Sequence, residues 1–400
     1  GQYLGCGHEA GQFTMPDGGV ANTVMYNMES FWDSCVQRYK DLAGPNVRIK
    51  EVPTPFLVED SEKGPAGAPC ATGPITECTW CAHTFTPTVY NNLDELNKNS
   101  KKDVPTGAVL SGEDSPDGGN PVAHPKSQIK GRLAEHAACI LMKCLYGARM
   151  ARFDLLRAIT SLACQLTRWT PECDRKLHRL MCYIQSSKHL RMLGYVGNSL
   201  QEVQPHLFAD ADFAGCKATQ RSTSGLHLCI RGTKTCFPVS GQSKRQGCVS
   251  HSTPEAEIVA ADFGLRLSGL PALDLWHVLL PNKPPLLFFH EDNQAMIHVI
   301  NTGRNPTMRY LLRTHRVSVS WLHEVFKGAD VVLMYEESAK MAADIYTKGF
   351  TDKGKWDQVC GLINVLDPKL LSDKNYVRLY LQYAPPSDGG IPKRIETPEG

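Results

Sequence analysis

Asp210, Glu257, Asp292 and Asp344 are the residues of this chain whose types and positions point most directly to chemistry. Asp210 closes the apolar run His206-Leu207-Phe208-Ala209, and Asp292 follows Leu286-Leu287-Phe288-Phe289 at a similar strand-like end. Glu257 and Asp344 fall on segments with a helical pattern. Carboxylates delivered from separate strands and helices can converge on two divalent cations about 3.5–4 Å apart, and such a pair hydrolyses a phosphodiester by in-line displacement. The pattern predicts nuclease chemistry. Taken singly, each residue has a plainer use, Asp292 as the N-cap of a helix starting at Asn293 and Asp344 as a surface residue.

Two choices stay open on geometry or are closed by it. The pleat of a strand puts Asp210 and Asp212 on the same face, so either could serve. Glu255 and Glu257, two residues apart on a helix, point to nearly opposite sides. Glu257 shares its stripe with Ala260, Ala261, Gly264 and Leu265, small residues that let a helix lie close on a sheet, so Glu257 is expected to face inward.

The elements that must carry these residues lie mainly in 205–350. Strand-like runs at 206–214, 224–231 and 234–240 precede a helix from Pro254, an apolar helix near 270–280, a strand at 286–290, helices near 293–302 and 308–326, a strand at 330–335 and a last helix from Ser338. Strands first, then alternating helices and strands, predict an α/β fold with a mixed five-stranded sheet and helices on its faces. Upstream, three helices are expected at 132–149, 154–168 and 171–187, the last opened by Thr170 as N-cap and Pro171 in its first turn. Residues 1–58 hold one amphipathic stretch from Met28 to Leu42, while 59–130 shift to Pro, Gly, Ser, Asp and Lys and are expected to be a disordered insert. The end of the chain, from Asp373, reads as a mobile tail within a 351–400 extension.

Composition bounds the class. The 400 residues are 42% hydrophobic, enough for a sizeable core, and no apolar run is long enough to cross a bilayer, so no membrane partner is expected. The 15 cysteines sit in apolar surroundings such as Ala138-Cys139-Ile140, which predicts reduced thiols in an intracellular protein. A net charge of +2 neither demands nor excludes nucleic acid. The start at Gly1-Gln2-Tyr3 reads as a piece of a longer polypeptide.

Six blocks bear a stronger message together than any does alone: Ala209-Asp210-Ala211-Asp212-Phe213-Ala214-Gly215, Arg221 to Gly225, Ser243-Lys244-Arg245-Gln246, Ser252 to Glu257, Asp292-Asn293-Gln294-Ala295, and Ala343-Asp344-Ile345-Tyr346-Thr347-Lys348. In order and spacing they resemble the ribonuclease H (RNase H) domain of copia-type LTR retrotransposon Pol polyproteins. The resemblance extends to 131–200 as the helical connection before that domain. Tyr3-Leu4-Gly5 and Val52-Pro53-Thr54-Pro55 resemble the trailing edge of its reverse transcriptase over 1–58. It implies an RNase H-like domain over 201–350.

The resemblance favours Asp210 over Asp212 and makes Asp210, Glu257, Asp292 and Asp344 the catalytic and metal-binding carboxylates, holding two Mg2+ ions, with Mn2+ as a substitute. It implies cleavage of the RNA strand of RNA–DNA hybrids, read through 2′-hydroxyls and duplex shape. Arg221, Lys244 and Arg245 would contact phosphates. The remaining Pol polyprotein, reverse transcriptase and integrase, would be the partner, in a cytoplasmic virus-like particle or the nucleus. Glu291, beside Asp292, departs from the usual neighbour and is expected to be solvated. Tyr335 to Met341 contains no histidine for product release. The chain has no Asp-Asp dipeptide, so the Tyr-x-Asp-Asp element of a polymerase is absent. The competing expectation is an inactive or co-opted remnant that binds nucleic acid or protein without cleavage.

Two smaller constellations stand apart. Cys78, Cys81, His83 and Cys70 offer thiolate and imidazole ligands for zinc but lack a regular second pair. His315 and His323, eight apart on the expected 308–326 helix, read as packing or solvated residues.

Overall fold

A computed structural model describes residues 1–15, 17–58, 76–77, 84–85, 130–216, 219–308, 310–373 and 375–377. By compactness, residues 1–57 and 128–400 form one unit and 58–127 another. In the second unit the described elements are β4 (Thr76–Glu77) and β5 (Thr84–Phe85), an antiparallel pair. The expected disorder of 59–130, the zinc candidates Cys70, Cys78, Cys81 and His83, and the tail beyond 377 lie outside the described residues.

The first unit opens with β1 (Gln2–Tyr3), β2 (Cys6–Thr14) and β3 (Val20–Asn27), then α1 (Glu29–Ala43). Three further helices follow the second unit in sequence, α2 (Ala137–Ala151), α3 (Leu156–Ala163) and α4 (Pro171–Ser187). Thr170 caps α4 by accepting from the Cys173 N–H, as its sequence predicts. The helix expected over 154–168 is instead α3 flanked by 3-10 turns at Phe153–Leu155 and Leu166–Arg168. The segment expected to be a purely helical connection ends in a strand, β6 (Arg191–Val196). Its first five residues are all buried, so it shows no alternation to reveal it.

The second half contributes β7 (Gln204–Asp212), β8 (Thr223–Gly232), β9 (Thr235–Arg245), α5 (Thr253–Gly264), α6 (Leu270–Leu279), β10 (Leu287–Glu291), α7 (Gln294–Thr302), α8 (Leu311–Thr314), α9 (Val319–Lys327), β11 (Val331–Tyr335), α10 (Lys353–Leu362) and β12 (Val365–Leu366). A wide π turn, Leu265–Gly269, joins α5 to α6. Pro271 explains it, having no N–H for the Leu267 carbonyl and a ring that crowds that turn. The single helix expected over 308–326 is broken at His315–Ser318, where Arg316 takes a φ of 59°. The last helix expected from Ser338 is two 3-10 turns, Ser338–Lys340 and Ala342–Tyr346.

One mixed sheet runs in the order β1-β2-β3-β6-β9-β8-β7-β10-β11, with β12 paired to β6. The pairs β7–β10 and β10–β11 are parallel and the rest antiparallel. The fold is therefore α/β, a mixed open sheet flanked by helices, and wider than the five strands expected. Alternation along β7 divides the core: Leu207 and Ala209 pack beneath α5, α7 and α9, whereas Phe208 faces the core built with α1 to α4 and α10. Among the described residues no helix is long and apolar enough to cross a membrane, and every cysteine is a free thiol.

Candidate metal centre

The carboxylates meet where two parallel strands end. His206, Leu207 and Phe208 of β7 pair with Phe288, Phe289 and His290 of β10, so Asp210 and Asp292 lie two residues beyond matched positions, at the carboxyl ends of both strands. The pleat sends Asp210 to the side of Phe208 and Glu291 to the side of Phe289. Asp292, just past β10, lies between the two sides. Glu257 arrives from the α5 side because Ala256 and Ala260 pack on Ala211, a contact that small side chains permit at close range. Ser252 caps α5 by accepting from the Glu255 N–H, and Pro254 occupies its first turn.

Asp344 arrives from the opposite side, on the 3-10 turn Ala342–Tyr346. That turn lies against Gly225, which is paired with Asp210 across β7 and β8. A Cβ on Gly225 would meet the Ala343 carbonyl oxygen and Thr347 Cγ2, both at 2.7 Å, so only glycine lets the turn approach this closely.

The result is two overlapping triads. Ligating oxygens of Asp210, Asp292 and Asp344 lie within 4.8 Å of one another, and so do those of Glu257, Glu291 and Asp292. Asp292 belongs to both. Asp210, Glu257, Glu291 and Asp344 are buried, and Asp292 is half-buried. Thr347 donates its hydroxyl to Asp210 Oδ2, Ser338 donates to Asp292 Oδ2 at 2.7 Å, and the Asn293 N–H donates to Glu291 Oε1 at 3.1 Å. Lys348 Nζ lies 2.7 Å from Asp344 Oδ1 and 3.5 Å from Asp210 Oδ1.

Burial, then mutual repulsion, makes these groups hard to ionise together. Asp344 is pushed up to about 7 by burial and by Asp210. Burial raises Asp210, with Lys348 opposing it. Glu257 is held well above the usual carboxylate range by burial and by Glu291, Asp210 and Asp292, and Glu291 is raised in the same way. Glu257 Oε2 and Glu291 Oε2 are buried with no hydrogen-bond partner. Such oxygens are costly unless something cationic meets them. Buried unpartnered oxygens in an all-carboxylate donor set fit a hard divalent cation such as Mg2+.

All four carboxylates singled out in the sequence thus come together. Asp212 does not join them, and sits 3.4 Å from Arg157. Glu291, expected to be solvated, is fully buried and completes the second triad, because β10 extends one residue past the expected end and residues 287, 289 and 291 share a face. That parity was the available signal. Asp292 does not cap the following helix, since Asn293 does so through the Met296 N–H, and Asp344 is no surface residue. Thr347 and Lys348 belong to the block Ala343–Lys348, but nothing in the sequence assigns them a role, and Ser338, expected as a helix start, gives no sign of its bond to Asp292.

Glu257 faces inward as its stripe predicts, but Glu255 is buried too. Its Oε2 accepts from the His251 N–H and the Tyr310 hydroxyl, each at 2.9 Å, and its Oε1 lies 3.3 Å from His315 Nε2. His315 is therefore a buried partner of α5, while His323 Nδ1 lies 2.8 Å from the Ile300 carbonyl on a different helix. The basic candidates do not form one cluster. Lys244 is exposed with its ammonium over the Phe263 ring at 4.6 Å, and it pairs with Ser224 in the row of Ala211, the α5 side. Arg245 lies in the row of Asp212, and Arg221 is half-buried before β8.

No protein-family model, no curated protein and no solved structure matches this chain.

Proposed function

We propose that this chain is a metal-dependent endonuclease that cleaves the RNA strand of RNA–DNA hybrids, an RNase H-like domain from the C-terminal part of a copia-type Pol polyprotein. The observation that carries the reading is the pair of carboxylate triads sharing Asp292 at the ends of β7 and β10. The mixed arrangement of β9, β8, β7, β10 and β11, with helices on both faces, supports the same reading. In this reading Asp210, Asp292 and Asp344 would hold one Mg2+, and Glu257, Glu291 and Asp292 the second. Two such ions supply a water of lowered pKa and stabilise the charge that develops on the leaving oxygen.

The protein groups do the positioning. The Thr347 hydroxyl and the Asn293 N–H each hold one oxygen of a carboxylate; the other oxygen of Glu291 is then open to a cation, and that of Asp210 faces Lys348. Ser338 does the same for Asp292. Lys244 and Arg245, at the end of β9, and Arg221 are the candidates for gripping phosphates of the duplex. Reverse transcriptase and integrase are the proposed polyprotein partners, in a virus-like particle or the nucleus.

The test is cleavage of a labelled RNA–DNA hybrid in Mg2+ by the full chain, beside duplex RNA and beside Asp292→Asn. Hybrid-specific cleavage by the parent protein and none by Asp292→Asn is expected, with the variant's thermal melt in EDTA unchanged or higher because one like charge has gone. A folded parent chain that binds hybrid without cutting it would replace the nuclease with a binding protein.

A further inference from the structure

The two triads are not equivalent. Glu257 and Glu291 each keep a buried oxygen with no partner. The other triad already holds a cation of its own, since Lys348 Nζ reaches Asp344 Oδ1 at 2.7 Å and Asp210 Oδ1 at 3.5 Å. A Mg2+ ion sits about 2.0–2.1 Å from its carboxylate oxygens. With Thr347 on Oδ2 and Lys348 on Oδ1, both oxygens of Asp210 already face donors, so a cation entering between Asp210 and Asp344 competes with the ammonium.

Lys348 is placed to leave as well as to stay. It follows a 3-10 turn outside any regular helix, its neighbour is Gly349, and its side chain is 41% exposed. A lysine head is a compact charge on a flexible four-carbon stem, so rotation into water costs little beyond the two contacts it gives up. Thr347 and Lys348 divide the work on Asp210, the hydroxyl fixing Oδ2 and the ammonium covering Oδ1. Neither Glu257 nor Glu291 has a lysine or arginine in ion-pair contact among the described residues.

We infer that Lys348 is the built-in competitor for the cation at the Asp210–Asp344 subsite, so that the two ions enter in order: the Glu257–Glu291–Asp292 subsite fills first, and the Asp210–Asp344 subsite fills when Lys348 swings away. This rests on the metal reading above. Lys348 is then a positioning residue that balances buried carboxylates in the ion-free protein and sets the affinity of one subsite. Competition between an internal and an external ligand lowers apparent affinity by the strength of the internal contact.

Mn2+ titration of the full chain, counting free ion by electron paramagnetic resonance, tests this without reference to activity. The parent protein is expected to bind two Mn2+ with affinities about tenfold apart. In Lys348→Met the weaker site tightens about tenfold, and in EDTA this variant melts at lower temperature and recovers in Mn2+. Lys348→Gln, uncharged but still able to hydrogen-bond, behaves like Lys348→Met, and Lys348→Arg keeps the parent gap. Identical isotherms for the parent, Lys348→Met and Lys348→Gln, with binding lost in Asp292→Asn, would overturn the role of Lys348 and keep the metal centre. No Mn2+ bound by either the parent or Lys348→Met would overturn the metal centre and this inference with it.

Discussion

Asp210 and Glu291 illustrate how single residues are addressed in this protein: the pleat sends them to opposite sides of one sheet, and Asp292 lies between those sides. Strand ends mark Asp210 and Asp292 and a small-residue stripe marks Glu257, but the choice of Asp210 over Asp212, and Asp344 altogether, rested on the resemblance of the six blocks. Glu291 was missed because one residue of strand length decides its side, and Lys348 because a long side chain reveals its target only once the turn beneath it is placed. His227 makes a residue-scale prediction. It is fully buried with Nδ1 2.9 Å from the Tyr346 hydroxyl, and burial, with Arg231 nearby, pushes it down to about 3. A depressed folded value means that its contribution to stability is present above about pH 6.5 and is lost as pH falls toward 3, by about 1.4 kcal/mol per pH unit. Asp344, raised to about 7, runs the other way, so the comparison must be with a variant. In EDTA the melting temperature of His227→Gln should fall less, or rise more, between pH 6 and pH 4 than that of the parent chain. Parallel curves would rule the account out.

At the scale of elements, the turn Ala342–Tyr346 is the least regular piece of the centre, and side-chain bonds and close packing hold it in place. Tyr346 bonds His227, Ser243 donates to the Tyr346 carbonyl, and Gly225 allows the close approach. Gly225→Ala should cost about 1–3 kcal/mol by overpacking. A displacement of about 1 Å in Asp344 should also lower cleavage about hundredfold. Gly247→Ala is the control, since a Cβ there meets nothing within 4 Å. Equal melting temperatures and equal rates for the two variants would refute the packing argument. Regular elements with caps, such as α4 behind Thr170 and α5 behind Ser252, could be read from sequence because the cap is local. The break at His315–Ser318 could not, because nothing local announces the positive φ of Arg316, and His315 is buried 3.3 Å from Glu255, far back in the chain. Nor could β6, whose partners β3 and β9 lie far away in the chain.

At the scale of the molecule, the sheet does not stop at the strands that carry the centre. Phe208 and Tyr346 belong to the same buried cluster as Trp32, Leu141, Leu177 and Trp356, so residues upstream of 200 help build the core beneath one face of β7. A fragment of residues 200–372, which contains the span 201–350 that the resemblance marks as one domain, should therefore lack a cooperative thermal transition, while the full chain shows one. A sharp melt of the fragment at the parent temperature would contradict this.

The same continuity separates covalent order from structural order. Tyr26, Met25 and Val24 of β3 are hydrogen-bonded opposite Met192, Leu193 and Gly194 of β6, although the chain between these strands passes through all of 58–127. The peptide link through that stretch is not what holds β3 in place. A protease that cuts there would leave two polypeptides sharing one sheet, joined by the β3–β6 hydrogen bonds.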